Sequence, residues 1–218
     1  MMTTFRNEDA GCVVLGLIDT IQKNTAYLSE IDGAIGDGDH GINMNKGFSL
    51  CKDRLEGKQF SLSEGLSVLS ATLMEDIGGS MGPLYGVLFD EMSATISKVD
   101  EIDAQMFERM FKAALSGIQD IGNAKRGDKT LLDTLISGIE AYSAALAEGK
   151  SFAESLEALK EGAKNGWEST KDMIAKIGRA SRLGERSRGV LDAGATSCYL
   201  ILSSMADSII GLLQKNKT

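Results

Sequence analysis

Residues Asp32–Asn45 read D-G-A-I-G-D-G-D-H-G-I-N-M-N, and helical patterns lie on both sides of this stretch. It holds three aspartates, Asp32, Asp37 and Asp39, and the only histidine of the protein, His40. Magnesium and calcium prefer carboxylate oxygens, and magnesium is usually held by one or two carboxylates together with phosphate oxygens and water. Glycines between the aspartates permit the sharp turns that aim several side chains at one point. The stretch therefore predicts a site for a hard cation.

Two other interpretations of this stretch are a solvated turn and a calcium loop of the EF-hand type. Asp and Gly dominate turns for local reasons, so a turn without a ligand is a common origin of such a run. An EF-hand loop that begins at Asp37 needs Gly at its sixth position and Glu at its twelfth, where this chain has Ile42 and Phe48. The EF-hand interpretation therefore fails. His40 is either a structural histidine or a ligand, and its place directly after Asp39 favours a ligand.

The helix that follows the aspartates is predicted to start near Gly41, with its N-terminus pointing at them. Unpaired backbone amides and the positive end of the helix dipole favour an anion at such a position. His40 and Asn43 are three residues apart on that first turn, close enough to address one ligand. Metal ligands and a phosphate site are therefore predicted to converge.

The composition is that of an aliphatic helical protein, because 43% of the 218 residues are hydrophobic, 6% are aromatic and only Pro83 is a proline. The net charge of −8 and the pI near 4.8 argue against general nucleic-acid binding, which usually shows a basic surface. No apolar run approaches the length of a membrane span, and the first residues lack the apolar core of a signal peptide. We expect one domain over residues 1–218, in the cytoplasm, without membrane or nucleic-acid partners.

Apolar residues recur at helical spacing in eight segments, and no convincing strand pattern lies between them. The predicted helices cover about residues 7–29, 41–55, 63–76, 81–96, 104–120, 130–147, 152–173 and 195–212. Cys12, Cys51 and Cys198 each fall on an apolar face, so buried thiols are expected rather than disulfides or a metal site. The pattern predicts an all-α protein, either a bundle or a closed helical barrel.

Two connections between these helices could carry chemistry. Gly78-Gly79 permits close approach of a ligand to the backbone, although such a pair is more often a helix stop. The segment from Lys176 to Arg188 has five basic residues against one acidic residue, Glu185. It is either a solvated loop or a flexible basic lid that covers phosphates above the acidic stretch.

Five motifs follow one another along residues 32 to 197: D-x-x-I-G-D-x-D-H-G-x-N-M, G-G-x-x-G-P-L-x-G, G-x-A-x-x-G-D-K-T-x-x-D, G-R-A-S-x-L-G-E-R-S-x-G and D-x-G-A-T-S. In order and spacing they resemble the L subunit of bacterial dihydroxyacetone kinase. The resemblance implies a phosphotransferase with an all-α fold, in which eight antiparallel helices form a bundle or barrel that holds a nucleotide at one end.

The resemblance also implies roles for individual residues. Asp32, Asp37 and Asp39 would hold two magnesium ions against the phosphates of ADP or ATP, and Arg179 would take the charge that develops during transfer. The positions that match nucleotide contacts are His40, Gly41, Ile42, Asn43, Ser80, Met81, Gly122, Leu131, Arg179, Asp192, Ala193 and Gly194.

Family members that stand alone resemble the phosphotransferase-dependent type. In that type ADP stays bound, receives a phosphoryl group from a phosphohistidine subunit of the phosphotransferase system, and passes it to dihydroxyacetone on a separate K subunit. Two alternatives stay open for this chain: an ATP-dependent kinase component that exchanges nucleotide with solution, and a regulatory paralogue that senses nucleotide.

The chain departs from the usual family pattern at several positions. Family members usually have Ser where Met81 stands, Pro at Ala193, Met at Leu131, an aromatic residue at Arg182 and Lys at Ile177. Met81 replaces a hydroxyl next to the phosphates by a bulky thioether, and Ser80 could take over its hydrogen bond. The departures indicate a divergent paralogue that acts on another short ketose or tetrulose, or one with altered affinity for the nucleotide.

Overall fold

The structure, a computed structural model, describes residues 4–215. In that range the chain is mainly α-helical, which confirms the predicted all-α class. Its elements are β1 Thr4–Arg6, α1 Gly11–Lys23, α2 Thr25–Ile35, α3 His40–Leu55, α4 Leu62–Asp76, α5 Met81–Ile96, β2 Glu101–Asp103, α6 Ala104–Ile121, α7 Leu131–Ala147, α8 Phe152–Ser169, the 3-10 segments Thr170–Asp172 and Arg179–Ser187, and α9 Ala193–Lys215.

Eight helices close a ring in which α1, α3, α4, α5, α6, α7, α8 and α9 each contact the next and α9 contacts α1. The remaining helix, α2, packs against α3 and α9. Apolar side chains from all eight ring helices fill the centre as one hydrophobic core. Short connections between neighbouring helices make the ring antiparallel, as expected, and the N-termini of α3, α5, α7 and α9 lie together at one end, which we call the loop end.

The opposite end, which we call the ribbon end, carries a two-stranded antiparallel ribbon that the sequence analysis did not predict. In it Phe5 of β1 pairs with Ile102 of β2. Next to the ribbon, the buried side chain of Asn7 donates to the Ile96 carbonyl at 2.9 Å and accepts from the Ser63 amide at 3.0 Å. Each strand has only three residues, too few for an alternating pattern to stand out.

Helix bounds agree with the predicted ones to within a few residues, except in the first segment. The single helix expected over residues 7–29 is wrong, because α1 ends at Lys23 and α2 begins at Thr25. At the break, Asn24 Nδ2 donates to the Thr20 carbonyl at 2.8 Å. As a result Asp32 lies inside α2 rather than in a loop.

Local capping explains where four helices begin. Ser61, Thr130 and Ser151 each form a capping box with the acidic residue three positions later, and satisfy amides that the helix leaves unpaired. Asp103 caps α6 by accepting from the Met106 amide at 2.7 Å. The capping pair of α7, Thr130 with Asp133, matters most here because it lies at the loop end.

The three cysteines are free thiols, as expected, but only two of them are buried. Burial raises the pKa of Cys51 to about 12 and raises that of Cys198 further. The prediction for Cys12 is wrong, because its side chain is exposed on α1. Cys12 follows Gly11, which packs against Phe60, so the buried face of this first turn is already occupied.

Within residues 4–215, α9 is the one helix with enough length and apolar character to cross a membrane, with a mean hydropathy of 1.4 over its most apolar window. Half of that window is buried inside the protein. The expectation that no segment approaches a membrane span is therefore wrong by length and composition. Packing of α9 against α1, α7 and α8 accounts for its apolar character as a core helix.

Candidate functional site

Three carboxylates converge where α2 leads into α3. Asp32 lies in the last turn of α2, while Asp37 and Asp39 lie in the connection, where Gly38 adopts a positive φ of 76°. One carboxylate oxygen from each aspartate can be chosen so that all three lie within 4.8 Å of one another. Three hard oxygen donors at this separation fit the chemistry of magnesium, with room for water and phosphate oxygens because the side chains are partly or fully exposed.

The first turn of α3 is attached directly to these aspartates. The His40 amide donates to Asp32 Oδ2 at 3.2 Å, and the Asn43 amide donates to the Asp39 carbonyl at 2.9 Å. Gly41 is buried against α2, where a Cβ would collide with the Thr25 carbonyl oxygen. The N-terminus of α3 is thus held beside the carboxylates, as the sequence predicted.

A hydrogen-bonded relay links His40 to α5 and α9. His40 Nε2 lies 2.9 Å from Ser197 Oγ, which lies 2.6 Å from the hydroxyl of Tyr85. The Tyr85 hydroxyl in turn donates to the Gly194 carbonyl at 3.1 Å. Burial lowers the pKa of His40, although the nearby charge of Asp32 opposes this shift. The lowered pKa favours the neutral ring, and the relay joins α3, α5 and α9.

Arg179 brings a positive charge to the aspartates. It begins the 3-10 segment Arg179–Ser187; its Nη1 contacts the Asp37 carboxylate and lies 3.8 Å from Asp39 Oδ2. Arg179 thus brings the basic segment Lys176–Arg188 to the acidic stretch, while its role as a lid over phosphates stays a prediction. Its side chain is 60% exposed, so the guanidinium remains accessible to a ligand bound at the carboxylates.

The N-terminus of α9 lies beside that of α7. A Cβ at Gly194 would lie 3.6 Å from Leu131 Cβ and 3.1 Å from Asp192 Oδ2. Asp192 Oδ2 accepts from the Ala195 amide at 2.7 Å, and the Asp192 amide donates to Thr170 Oγ1 at 3.1 Å. Burial raises the pKa of Asp192 to about 6 despite that hydrogen bond. These residues and the buried Ala193 line the loop end at the N-termini of α7 and α9.

The other predicted nucleotide contacts are at the loop end but are not tied to the aspartates. Ser80 is exposed and makes no side-chain cap for α5, Met81 is buried in the core, and Ile42 is 61% exposed on α3. Gly122 ends α6, and a Cβ there would lie 3.9 Å from Leu84 Cδ2 on α5. No hydrogen bond or ion pair within residues 4–215 joins these four positions to the carboxylates, so their role stays a prediction.

Sequence reasoning missed Lys129, which is the most unusual residue of the loop end. It is 1% exposed, has a positive φ of 64°, and its Nζ lies among carbonyl oxygens of the segment that carries Arg179. Burial lowers its pKa, and Asp192 opposes the shift. The only signal in the sequence was the lysine of the polar motif G-D-K-T, and a lysine in such a motif is typical of an exposed loop.

Comparison with protein families gives one domain model, described as the DAK2 domain, that matches residues 34–207. Among curated proteins, the chain is 37% identical over 188 residues to a PEP-dependent dihydroxyacetone kinase ADP-binding subunit DhaL of Listeria innocua, with 86% of this chain and 89% of that protein covered. It is 35% identical over 188 residues to a D-erythrulose kinase of Mycolicibacterium smegmatis, with 84% of this chain but only 32% of that protein covered.

Among solved structures, the fold is similar to the dihydroxyacetone kinase of C. freundii in complex with AMP-PNP and Mg2+, with a TM-score of 0.68 at 21% identity. The match covers 91% of this chain and 33% of that one. At this identity the likeness concerns the fold alone.

Proposed function

This chain belongs to the DAK2 domain family, and we propose that it is the phosphoryl-transfer subunit of a dihydroxyacetone-type kinase. Magnesium-chelated ADP, held at the loop end, accepts a phosphoryl group from a donor subunit of the phosphotransferase system. The resulting ATP passes the group to dihydroxyacetone, or a related short ketose, on a separate K subunit. All of this takes place in the cytoplasm.

The observation that carries the proposal is the convergence of Asp32, Asp37 and Asp39 with the guanidinium of Arg179. The three aspartates would hold two magnesium ions, which neutralise phosphate charge and align the transferring group. Arg179 contacts the same carboxylates, so its guanidinium can donate to phosphate oxygens bound there. An arginine stabilises the charge that spreads over the equatorial oxygens during transfer.

Backbone amides supply the other donors that a nucleotide needs. The N-termini of α3 and α9 lie on two sides of the loop end and are joined through His40, Ser197 and Gly194. Unpaired amides and helix dipoles at such termini favour phosphate. Because donors already come from backbone, arginine and chelated metal, the site has no need for a lysine-bearing phosphate loop.

The chain is proposed to hold the nucleotide while another protein supplies the phosphohistidine. His40 is the only histidine, and its ring is hydrogen-bonded to Ser197 inside the relay. A ring in that position is poorly placed to accept and donate a phosphoryl group by itself. The relative from Listeria innocua is named as PEP-dependent, which supports a donor of the phosphotransferase type.

A second candidate function is an ATP-dependent kinase component that exchanges nucleotide with solution and acts on a four-carbon ketose. The observation that favours it is the similarity to a D-erythrulose kinase, a relative about three times longer than the matched region. A third candidate, a nucleotide-sensing regulatory paralogue, predicts binding without transfer to any ketose.

The deciding experiment is to denature freshly purified protein and quantify the nucleotide and magnesium released. We expect near-stoichiometric ADP with about two magnesium ions, because only tight chelation survives repeated dilution. Addition of the phosphohistidine donor should then convert the bound ADP to ATP. Protein that is empty as purified, and that binds ATP only weakly, would contradict the cofactor-type subunit and favour exchange or sensing.

The substrate is tested by adding a K subunit loaded with dihydroxyacetone or with erythrulose. Transfer to either ketose excludes the purely regulatory role, and the faster of the two identifies the ketose class. Absence of transfer to both, with ADP bound and phosphorylated, would contradict the kinase proposal while leaving nucleotide binding intact.

A further inference from the structure

The ammonium of Lys129 lies under the segment that carries Arg179 and contacts it on both sides of that residue. Lys129 Nζ donates to the Val190 carbonyl at 2.5 Å, to the Ser187 carbonyl at 2.6 Å and to the Met173 carbonyl at 3.3 Å. Met173 precedes Arg179, while Ser187 and Val190 follow it. Lys129 therefore helps to close the base of the Met173–Val190 loop, together with the Gly189 amide, which donates to the Lys171 carbonyl at 2.7 Å, and the Ala175 amide, which donates to Ser187 Oγ at 2.9 Å.

Only a cation with several donors suits this position. An ammonium group has three N–H donors and no acceptor, which matches three converging carbonyl oxygens. Lys129 is 1% exposed, and its hydrogen bond to the Ser187 carbonyl is buried while those to Met173 and Val190 are partly buried. Without the ammonium, each oxygen would lose a charge-assisted hydrogen bond in a buried or partly buried place, which is costly.

Lys129 itself is rigidly held. Asp133 Oδ1 and Oδ2 accept from the amides of Gly127 and Thr130 at 2.5 Å and 2.8 Å, on either side of Lys129 along the chain. Its own φ of 64° lies in the left-handed region, which non-glycine residues rarely adopt and which costs free energy. A backbone conformation of this kind persists only where its surroundings enforce it. Here it directs the side chain of Lys129 towards the carbonyls at the base of the loop.

We propose that Lys129 is the positioning residue for Arg179. By its hydrogen bonds to both ends of the Met173–Val190 loop, it holds the guanidinium of Arg179 beside the aspartates. The inference rests on the proposed function, since Arg179 is the group that it positions. Within residues 4–215 the side chain of Lys129 forms hydrogen bonds to the three carbonyls and no ion pair with Asp32, Asp37 or Asp39, so we expect chelation of metal and nucleotide not to depend on it directly. Its lowered pKa agrees with the burial that the geometry shows.

The test compares Lys129→Met, which keeps the length but removes the donors, with Lys164→Met on the exposed surface of α8 as the control. We expect Lys129→Met to keep bound ADP and magnesium, and to lose about 10²-fold in transfer rate because a misplaced catalytic group costs that much. Trypsin should cut faster after Arg182 and Arg186, which are exposed in the loop. The Lys164 control should show none of these changes.

A double-mutant cycle with Arg179→Ala separates positioning from general stability. If Lys129 acts through Arg179, Lys129→Met should have no further effect on the transfer rate in the Arg179→Ala background. An equal loss in both backgrounds, or unchanged tryptic cleavage of the loop, would overturn the inference. Full transfer by Arg179→Ala alone would contradict the catalytic role in the proposed function, and the inference with it.

Chemical rescue gives a readout that a purely structural role would not move. In Lys129→Ala, propylammonium supplies the missing three carbons and ammonium, and we expect it to restore part of the transfer rate and to slow tryptic cleavage of the loop. Tetramethylammonium, which has no N–H donor, should restore neither. If Lys129→Met does not fold, Lys129→Ala with propylammonium carries the test, and failure of rescue in the folded variant counts against the inference.

Discussion

At the ribbon end of the ring, the buried side chain of Asn7 has neutral partners within the protein, whereas at the loop end carboxylates and a guanidinium face one another near solvent. Asn7 satisfies carbonyls and an amide from three other segments without any charged side chain. Asp37 and Asp39, by contrast, are about half exposed, and their partner Arg179 is more exposed still. The ribbon end is built for stability, and the loop end keeps its charges available for a ligand.

The comparison explains why the same fold can tolerate an acidic cluster. Exposed ion pairs contribute little to the free energy of unfolding, so the carboxylates can serve in ligand binding with little loss of stability. The core, the capping boxes and the Asn7 contacts hold the ring closed independently of them. Substitutions at the two ends should therefore separate activity from stability, and the predictions that follow are ordered by the size of the expected effect.

The largest effect is expected for Asp37→Asn at the loop end. The amide keeps the shape but removes a negative ligand, so magnesium and ADP should be lost on purification, and transfer should fall by about 10³-fold, or about 4 kcal/mol in the activation free energy. The free energy of unfolding of the nucleotide-free protein should change by less than about 0.5 kcal/mol, since its ion pair is exposed. Nucleotide release, transfer rate and urea denaturation measure the three quantities.

The control for this substitution is Asp53→Asn, an exposed aspartate of α3 near the ribbon end. It should leave nucleotide content and transfer unchanged. Retained transfer in Asp37→Asn would show that the loop end is not the site, and the contrast between the two ends would lose its basis.

A smaller effect, now on stability, is expected for Asn7→Ala at the ribbon end. The substitution removes the donor to the Ile96 and Val99 carbonyls and leaves the Ser63 amide without its acceptor, which should cost about 3 kcal/mol. In a protein of this size that corresponds to a fall in Tm of roughly 10 °C. Transfer by the folded protein at low temperature should match the wild type.

The exposed Asn165 on α8 offers a matched control, because Asn165→Ala removes the same amide from a solvated helix face. Its effect should stay within about 0.5 kcal/mol. A normal Tm for Asn7→Ala would mean that the ribbon end is held by the core alone, and that its polar contacts add nothing.

How much could be predicted from the sequence also differs between local and distant contacts. The ring helices were predictable because their apolar residues repeat at helical spacing, and the acidic stretch was predictable because Asp37, Asp39 and His40 are neighbours. The break at Asn24 was not, because Val14, Leu17 and Ile21 before it and Leu28 after it continue one apolar pattern across the turn. Periodicity reports which face is buried, not whether the helix is interrupted.

The contacts that complete the loop end join residues far apart in the chain. Lys129 reaches carbonyls 44 to 61 positions away, and His40 reaches Ser197 across 157 positions. No local pattern marks such pairs, since a lysine beside an aspartate in a polar loop is typical of exposed loops. Their partners become evident only when the helices have been assembled into the ring.

The smallest effect is a pH dependence at the loop end, carried by Asp192. Its folded pKa of about 6 lies above the usual 3.8, so folding favours the protonated carboxyl. The stabilising contribution of protonation is therefore present near pH 4 and is lost as the pH rises towards 6. Because residue Asp192 keeps some contact with solvent at the edge of the site, we expect a loss of only about 1 kcal/mol in the free energy of unfolding across this window.

Asp192→Asn should flatten this slope, because the amide cannot ionise while its oxygen can still accept from the Ala195 amide, as Asp192 Oδ2 does at 2.7 Å. Asp90→Asn, on an exposed face of α5, is the control and should keep the wild-type slope. Urea denaturation of nucleotide-free protein between pH 4 and pH 7 measures the difference. An unchanged slope in Asp192→Asn would show that the carboxyl of Asp192 is solvated in the folded protein, as the carboxylates of Asp37 and Asp39 are.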